Sequence, residues 1–220
     1  DIYDFFAGNL HLTHFPEGIE EFFWISERDG FAHIYRFDYD GNLLNQVTSG
    51  DWEVKGIKAI DVKGKKLYYV STEVSPLDQA LYVCGFNGKG KKKLTSEAGN
   101  HNVDVSGNGM YYIDSWSDVN TPSRVRLMSS KGKVIEELVS NKNVVAYLET
   151  RAYAPKELFS FTTSDGQKLD GYYIKPMNFD PSQKYPLVLD IYGGPGSQGV
   201  FNNFGSNGWH QWLAQHVRST

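Results

Sequence analysis

The sequence predicts a mostly β fold: a partial β-propeller of about three blades, followed by the opening strands and first helix of an α/β domain. Two observations predict it, namely strand-like segments that recur about every 44 residues and a different order of elements after residue 150. The composition agrees, because aromatic residues make up 15% of the chain and 22 of its 220 residues are glycine. Such a mixture favours short strands and tight turns.

The repeat opens with an apolar, aromatic strand that occurs three times. Its copies start at Phe22, Leu67 and Met110, which are 45 and 43 residues apart. A second strand, a glycine-bearing turn and a short third strand follow each copy. The second strands are residues 33–37, 80–83 and 124–128, and the third are residues 43–48, 92–95 and 134–138. This period, with about four strands, is typical of a propeller blade, whose faces are covered by neighbouring blades. A β-sandwich with a similar strand count is the alternative.

The pattern changes near residue 150. Residues 141–148 have helix-compatible spacing, and Pro155 should end any helix before it. Residues 158–163 and 169–176 flank the turn Ser164-Asp165-Gly166, which predicts a hairpin.

An α/β domain is predicted to begin after this hairpin. The run Leu187–Tyr192 is short and nearly all apolar, which predicts a strand buried on both faces. A glycine-rich turn follows, and then a helix over Gly208–His216, with Trp209, Trp212 and Leu213 on its apolar face. We therefore predict two partial domains, residues 1–150 and 151–220.

Charge and composition exclude several classes of protein. A net charge of −4 argues against a sequence-independent nucleic-acid binder, which needs a basic surface. The longest apolar runs are about five residues, whereas a bilayer span needs ~20. Cys84 is the single cysteine, so an internal disulfide is impossible, and its apolar strand predicts a buried, inert thiol.

No metal or cofactor is expected. His11 and His14 form an H-x-x-H pair without an identifiable third ligand, so a surface turn is the favoured interpretation. The segment Asp38–Asn42 lacks the glutamate that closes an EF-hand loop and is better explained as a hairpin turn. His33 is expected to be a packed or hydrogen-bonded side chain, and Trp52 to pack between blades, with sugar stacking as the alternative.

Several segments together resemble a known family. Residues 26–35, 50–54 and 73–77 resemble late propeller blades of dipeptidyl peptidase IV-like serine peptidases, in the prolyl oligopeptidase family and of bacterial type. Residues 161–166, 184–186 and 192–198 resemble the start of that family's α/β-hydrolase domain. The resemblance implies that residues 1–150 are the last blades of an eight-bladed propeller. It also implies that residues 151–220 begin the peptidase domain, and that both chain ends are cuts in a longer enzyme.

The resemblance implies release of N-terminal dipeptides, with proline or alanine beside the scissile bond, through a seryl intermediate. A strict G-x-S-x-G elbow is absent, since Ser197 and Ser206 lie in near matches that lack the first glycine. In the family, the triad lies beyond the position of Thr220, and the carboxylates that bind the substrate amine lie before Asp1. We therefore expect this chain alone to be inactive. No substrate-binding residue is identified.

Tyr192 is the catalytic candidate that the resemblance implies. In the family, a tyrosine at this position donates its hydroxyl to the oxyanion of the tetrahedral intermediate. An ordinary aromatic residue at the end of a strand is the alternative interpretation.

The partners implied are peptide substrates, with no nucleic acid. Exposed strand edges predict self-association of this chain, whereas the family's homodimer contacts are expected in parts outside it. Bacterial relatives are typically periplasmic or attached to the cell surface, and we expect the same location here. The alternative function is a non-catalytic propeller or β-sandwich module that binds a glycan or a peptide.

Overall fold

The computed structural model describes residues 12–151, 153–191, 198–205 and 208–216. Within these ranges the chain forms three four-stranded antiparallel sheets, one two-stranded hairpin and two helices. In each four-stranded sheet, the strands pair in the order in which they occur in the sequence. The predicted mostly β fold is confirmed, and the three sheets are the blades that the repeat predicted.

The bounds of the blades follow the repeat closely. Blade 1 contains β1 (Thr13–His14), β2 (Glu21–Ser26), β3 (His33–Asp38) and β4 (Leu43–Gln46). Blade 2 contains β5 (Val54–Asp61), β6 (Lys66–Ser71), β7 (Ala80–Gly85) and β8 (Lys92–Lys93). Blade 3 contains β9 (Asn100–Val105), β10 (Tyr111–Ser117), β11 (Arg124–Ser129) and β12 (Val134–Val139).

Strand β6 is buried on both faces and joins two separate cores. Leu67 and Tyr69 belong to a core shared with blade 1, whereas Tyr68 and Val70 belong to a core shared with blade 3. Each is at most 5% exposed. Full burial of such a side chain stabilises the fold by about 1.5–3 kcal/mol. Blade 2 is therefore held from both sides, as expected for an inner strand between adjacent blades.

A glycine sets the backbone spacing at each junction between blades. Gly88, in the turn between β7 and β8, has a φ of 75°, and a Cβ there would lie 2.5 Å from the carbonyl oxygen of Val47 in blade 1. Gly132, in the turn between β11 and β12, has a φ of 78°, and its Cβ would lie 2.4 Å from the carbonyl oxygen of Leu94 in blade 2. Any other residue would push the sheets apart, because real Cβ contacts are longer.

After blade 3 the chain forms α1 (Lys142–Glu149), the hairpin strands β13 (Lys156–Thr162) and β14 (Lys168–Ile174), and α2 (Gly208–His216). The predicted hairpin and both predicted helices are thus present, and α1 ends before Pro155. Neither helix in the described ranges is long and apolar enough to span a bilayer.

The predicted buried strand at residues 187–192 is not observed. Residues 187–191 form no regular element, and Leu187, Leu189 and Ile191 are 87%, 75% and 78% exposed. A strand buried on both faces needs a paired neighbour and cover for both faces, and no described strand pairs with this segment.

Helix α2 exposes two of the three residues on its predicted apolar face. Trp209 and Trp212 stack on each other at 5.2 Å and are largely exposed, whereas Gln211 and Ala214 are buried. The helix packs through its polar and small side because the Gln211 amide binds the backbone of Ala154.

Candidate functional site

Four of the residues that the sequence singled out lie outside the described residues: His11, Tyr192, Ser197 and Ser206. The structure does describe the chain soon after Tyr192, where residues 198–205 contact the propeller blades. We call residues 198–205 the docking segment. Its contacts with blades 2 and 3 form a polar site with several hydrogen bonds.

Asn202 is the centre of this site. Its backbone N–H donates to the carbonyl oxygen of Leu77 at 2.9 Å, and its side-chain Nδ2 donates to Oδ1 of Asp78 at 2.7 Å. Its Oδ1 accepts the backbone N–H of Val119 at 3.1 Å, and its carbonyl oxygen accepts Nδ2 of Asn100 at 2.9 Å. Asn202 therefore connects the turn between β6 and β7 with the turn after β10.

Asp78 is the acceptor that ties blade 2, blade 3 and the docking segment together. Its Oδ1 accepts the Asn202 amide and also the backbone N–H of Gly99, the latter at 3.0 Å. Asn100 adds a second link, since its Nδ2 donates to the carbonyl oxygen of Leu77 at 3.0 Å. A carboxylate that accepts hydrogen bonds from two different segments fixes their relative position more firmly than an apolar contact would.

Two further side-chain amides hold the chain that follows α1. Asn120 forms a reciprocal pair with the backbone of Lys156, in which both the donor and the acceptor distances are 3.0 Å. Gln211 forms the same kind of pair with Ala154, with both distances 2.8 Å. These amides replace the partners that a β-ladder would otherwise supply to the backbone. Burial lowers the pKa of Lys156, whose Nζ lies 4.8 Å from the Tyr172 ring centroid.

The other histidine and aromatic candidates are structural. His33 is fully buried, and its ring nitrogens lie 3.1 Å from Oγ1 of Thr48 and 2.9 Å from the carbonyl oxygen of Gly50. Trp52 packs edge-on against His33 and against the core between blades 1 and 2. Both predictions, a hydrogen-bonded His33 and a Trp52 between blades, are confirmed.

His14 departs from its prediction. It lies in β1 and pairs with Phe23, so it is part of a short strand rather than a surface turn. The partner strand is β2, which contains Phe23, and pairing with it fixes the backbone of His14. His14 also lines an open cavity of about 500 Å³ together with Phe15 and Ile60.

The segment Asp38–Asn42 forms the predicted hairpin turn. Asp38 accepts hydrogen bonds from both the backbone and the side chain of Asn42, and Gly41 has a φ of 84°. These hydrogen bonds from Asn42 lower the pKa of Asp38. Cys84 is 2% exposed, and burial raises the pKa of its thiol to about 11, as an inert thiol requires.

A buried charge cluster lies inside blade 3. Asp114 accepts a hydrogen bond from Arg126 at 2.8 Å and lies 2.9 Å from Nδ1 of His101, and all three side chains are at most 5% exposed. Arg126 also pairs with Glu97, and Trp116 packs against the guanidinium. Because the Arg126 guanidinium pairs with both Asp114 and Glu97, the cluster is a structural core element of blade 3.

The part of the chain that the structure describes holds no group of three histidine, cysteine, aspartate or glutamate residues arranged for a metal. Sequence reasoning missed the residues of the docking site, namely Asp78, Asn100 and Asn202, and also the bridging amides of Asn120 and Gln211. Nothing in the sequence distinguishes Asn202 from Asn203, because both are asparagines in a loop. The distinction comes only from which of the two meets Asp78.

Comparison with known proteins gives the chain its relatives. The family model described as "Dipeptidyl peptidase IV (DPP IV) N-terminal region" matches residues 3–123. The crystal structure of Porphyromonas gingivalis dipeptidyl peptidase 4 is similar over 95% of this chain and 31% of its own, with a TM-score of 0.85 and 33% identity.

Curated relatives agree with this match. Dipeptidyl peptidase 4 of Arthroderma otae is 31% identical over 186 residues, and that of Trichophyton rubrum is 32% identical over 187 residues. Each alignment covers 83% of this chain and 24% of the relative, so the chain spans about a quarter of the length of these proteins. The matched family region covers more than half of the chain, including all of blades 1 and 2 and strands β9 and β10 of blade 3. The chain therefore belongs to the dipeptidyl peptidase IV N-terminal region family.

Proposed function

We propose that this chain is part of a serine-type exopeptidase that releases N-terminal X-Pro or X-Ala dipeptides from peptide substrates. The observation that carries the proposal is the similarity of 95% of the chain to a structure named dipeptidyl peptidase 4. In this proposal, residues 1–150 are the last propeller blades, and residues 151–220 begin the α/β-hydrolase domain. The hairpin β13–β14 and helix α2 support the second assignment, because such elements occur at the start of α/β domains.

The proposed reaction is acyl transfer. A serine hydroxyl outside this chain attacks the carbonyl carbon, the amine leaves, and water then releases the dipeptide from the seryl intermediate. Tyr192 donates its hydroxyl to the oxygen that becomes negatively charged during both steps. The three blades form part of the wall of the substrate chamber and exclude folded proteins.

The experiment compares this chain with the complete enzyme that contains it, using Gly-Pro-p-nitroanilide with and without a serine-directed inhibitor. We expect inhibitable turnover by the complete enzyme and none by the chain alone. In the complete enzyme, Tyr192→Phe should lower kcat by roughly 10²–10³, the usual effect of losing an oxyanion donor. Tyr173→Phe is the control, because Tyr173 is an exposed tyrosine on β14.

Two results would contradict the proposal. Clear inhibitable turnover by the pure chain would show that the nucleophile lies within it. Unchanged kcat in a folded Tyr192→Phe enzyme would remove the role assigned to Tyr192.

We also propose that this chain self-associates and that the complete enzyme is periplasmic or attached to the cell surface. Exposed apolar side chains support the first proposal, since apolar patches on a protein surface promote association between molecules. They lie on β12, on the hairpin and in residues 187–191: Val134, Ile135, Leu138, Phe159, Phe161, Leu169, Leu187, Leu189 and Ile191. Resemblance to bacterial relatives supports the second, and fractionation of the source cells tests it.

A further inference from the structure

We propose that Asn202 is a positioning residue for the peptidase reaction, because it fixes the docking segment to the turns of blades 2 and 3. The inference rests on the proposed function, since it assigns a role within that reaction. It adds a residue that acts through the backbone around it rather than by touching the substrate.

Four hydrogen bonds connect Asn202 to the propeller blades. Asn202 uses its backbone N–H, its backbone carbonyl and both side-chain atoms, and all four partners lie in the propeller part. Two partners, Leu77 and Asp78, belong to the turn between β6 and β7. The other two belong to blade 3: Asn100 begins β9, and Val119 lies in the turn between β10 and β11. One residue thus holds corresponding turns of two adjacent blades.

Residues on either side of Asn202 also bind to blades 2 and 3. Gln198 donates from Nε2 to the carbonyl oxygen of Pro76 at 3.0 Å, and the backbone N–H of Phe204 donates to Oγ of Ser117 at 3.3 Å. The docking segment is therefore bound along its length, with Asn202 in the middle. A segment held at three points has little freedom to shift along the blades.

The side chain of Asn202 has the donor and the acceptor that this position needs. An asparagine side chain supplies one acceptor and two donors, which matches the backbone N–H of Val119 on one side and the Asp78 carboxylate on the other. Aspartate would keep the acceptor but place a second carboxylate against Asp78. Alanine would leave the Val119 N–H and one Asp78 lone pair without their partner.

The link to the reaction is the position of Asn202 in the chain, ten residues after Tyr192. The docking segment determines where the chain that follows Tyr192 is attached to the propeller. A displacement of about 1 Å in a catalytic group can cost ~10²-fold in rate. Because such a displacement affects the transition state more than substrate binding, it should lower kcat and leave KM nearly unchanged.

The experiment measures kcat and KM of the complete enzyme with Gly-Pro-p-nitroanilide. We expect Asn202→Ala and Asn202→Asp to lower kcat by about tenfold or more, with KM within about twofold of wild type. Asn203→Ala is the matched control, because Asn203 is the adjacent asparagine and is exposed.

A second measurement on this chain keeps the inference testable if a variant enzyme folds poorly. Hydrogen exchange at the Val119 amide should be faster in Asn202→Ala than in wild type and unchanged in Asn203→Ala. If wild type is active and the kcat of Asn202→Ala stays within twofold, the inference is overturned. Unaltered exchange at Val119 also overturns it. If wild type itself shows no inhibitable turnover, the proposed function fails, and the role of Asn202 in it fails as well.

Discussion

Replacing Gly88 with alanine should destabilise the stacked blades, because this glycine lies against the backbone of the preceding blade. A Cβ at Gly88 would meet the carbonyl oxygen of Val47 at 2.5 Å. That oxygen belongs to the backbone, so relief requires movement of the β7–β8 turn or of the chain after β4. That movement would loosen the core shared by blades 1 and 2, which contains Val47.

The magnitude follows from two contributions. An L residue at positive φ costs about 1–2 kcal/mol, which applies to any alanine placed in such a turn. Crowding in a packed region adds about 1–3 kcal/mol. The sum for Gly88→Ala is about 2–5 kcal/mol. Gly41 is the matched control: it has a φ of 84° in the corresponding turn of blade 1 but has no atom within 4 Å of its Cβ position.

The assay is urea denaturation of this chain, followed by tryptophan fluorescence, with the m-value checked for each variant. Gly41→Ala should lose only the contribution from φ, so the difference between the two variants isolates the contact between blades. Gly132→Ala should behave like Gly88→Ala, because its Cβ would lie 2.4 Å from the Leu94 carbonyl. Equal losses at Gly41 and Gly88 would refute the idea that these glycines set the spacing of the sheets.

Three further results are expected. Arg126→Leu leaves Asp114 buried without its guanidinium and should cost about 3–5 kcal/mol of unfolding free energy in urea, whereas Arg124→Leu, in the exposed pair with Glu137, should cost about 0–1 kcal/mol; similar losses would contradict this. Burial raises the pKa of Glu97, but hydrogen bonds from Arg126 and Ser96 outweigh it and hold that pKa at about 2, below the ordinary 4.5. The stability from Glu97 is therefore present above pH 4.5 and is lost as the pH falls towards 2, so Glu97→Gln should flatten the acid limb of a pH-dependent denaturation series, and an unchanged limb would contradict the assignment. Light scattering of this chain should show species larger than a monomer at high concentration, and a clean monomer would argue against association through the exposed apolar residues.

Much of the fold could be predicted because each propeller repeat has its own local sequence pattern. The aromatic strands and the glycine-bearing turns recur at a constant spacing, and each lies where the repeat placed it. The first strands of blades 2 and 3, β5 and β9, lie outside the segments that the repeat predicted, and β9 is rich in polar residues. For β9 the signal existed, since His101, Val103 and Val105 alternate with the exposed Asn102 and Asp104.

The segment after the hairpin was harder to predict because its structure depends on partners outside the local sequence. An apolar run such as residues 187–191 becomes a strand only beside another strand, and none of the described strands pairs with it. Which face of α2 is buried could not be predicted, for a related reason. Pairing between Gln211 and Ala154 determines which face is buried, and helical periodicity contains no information about that pair.

The docking site was invisible to sequence reasoning because its asparagines act through distant backbone groups. Asn202 meets Leu77 and Asp78, more than 120 residues earlier in the chain. Recognition of the family pointed to Tyr192 instead, which remains a prediction. Single-sequence motifs identify chemistry that is local, whereas positioning residues become apparent only when the chain is folded.

The two tyrosines at the centre of β6 have a mechanical consequence. Tyr68 and Tyr69 are neighbours in sequence but belong to cores on opposite sides of one sheet. A tilt of this strand cannot relax one core without compressing the other, since both side chains share one short piece of backbone. Changes of packing in blade 1 and in blade 3 therefore both act on β6, the strand that leads into the turn that holds Asp78.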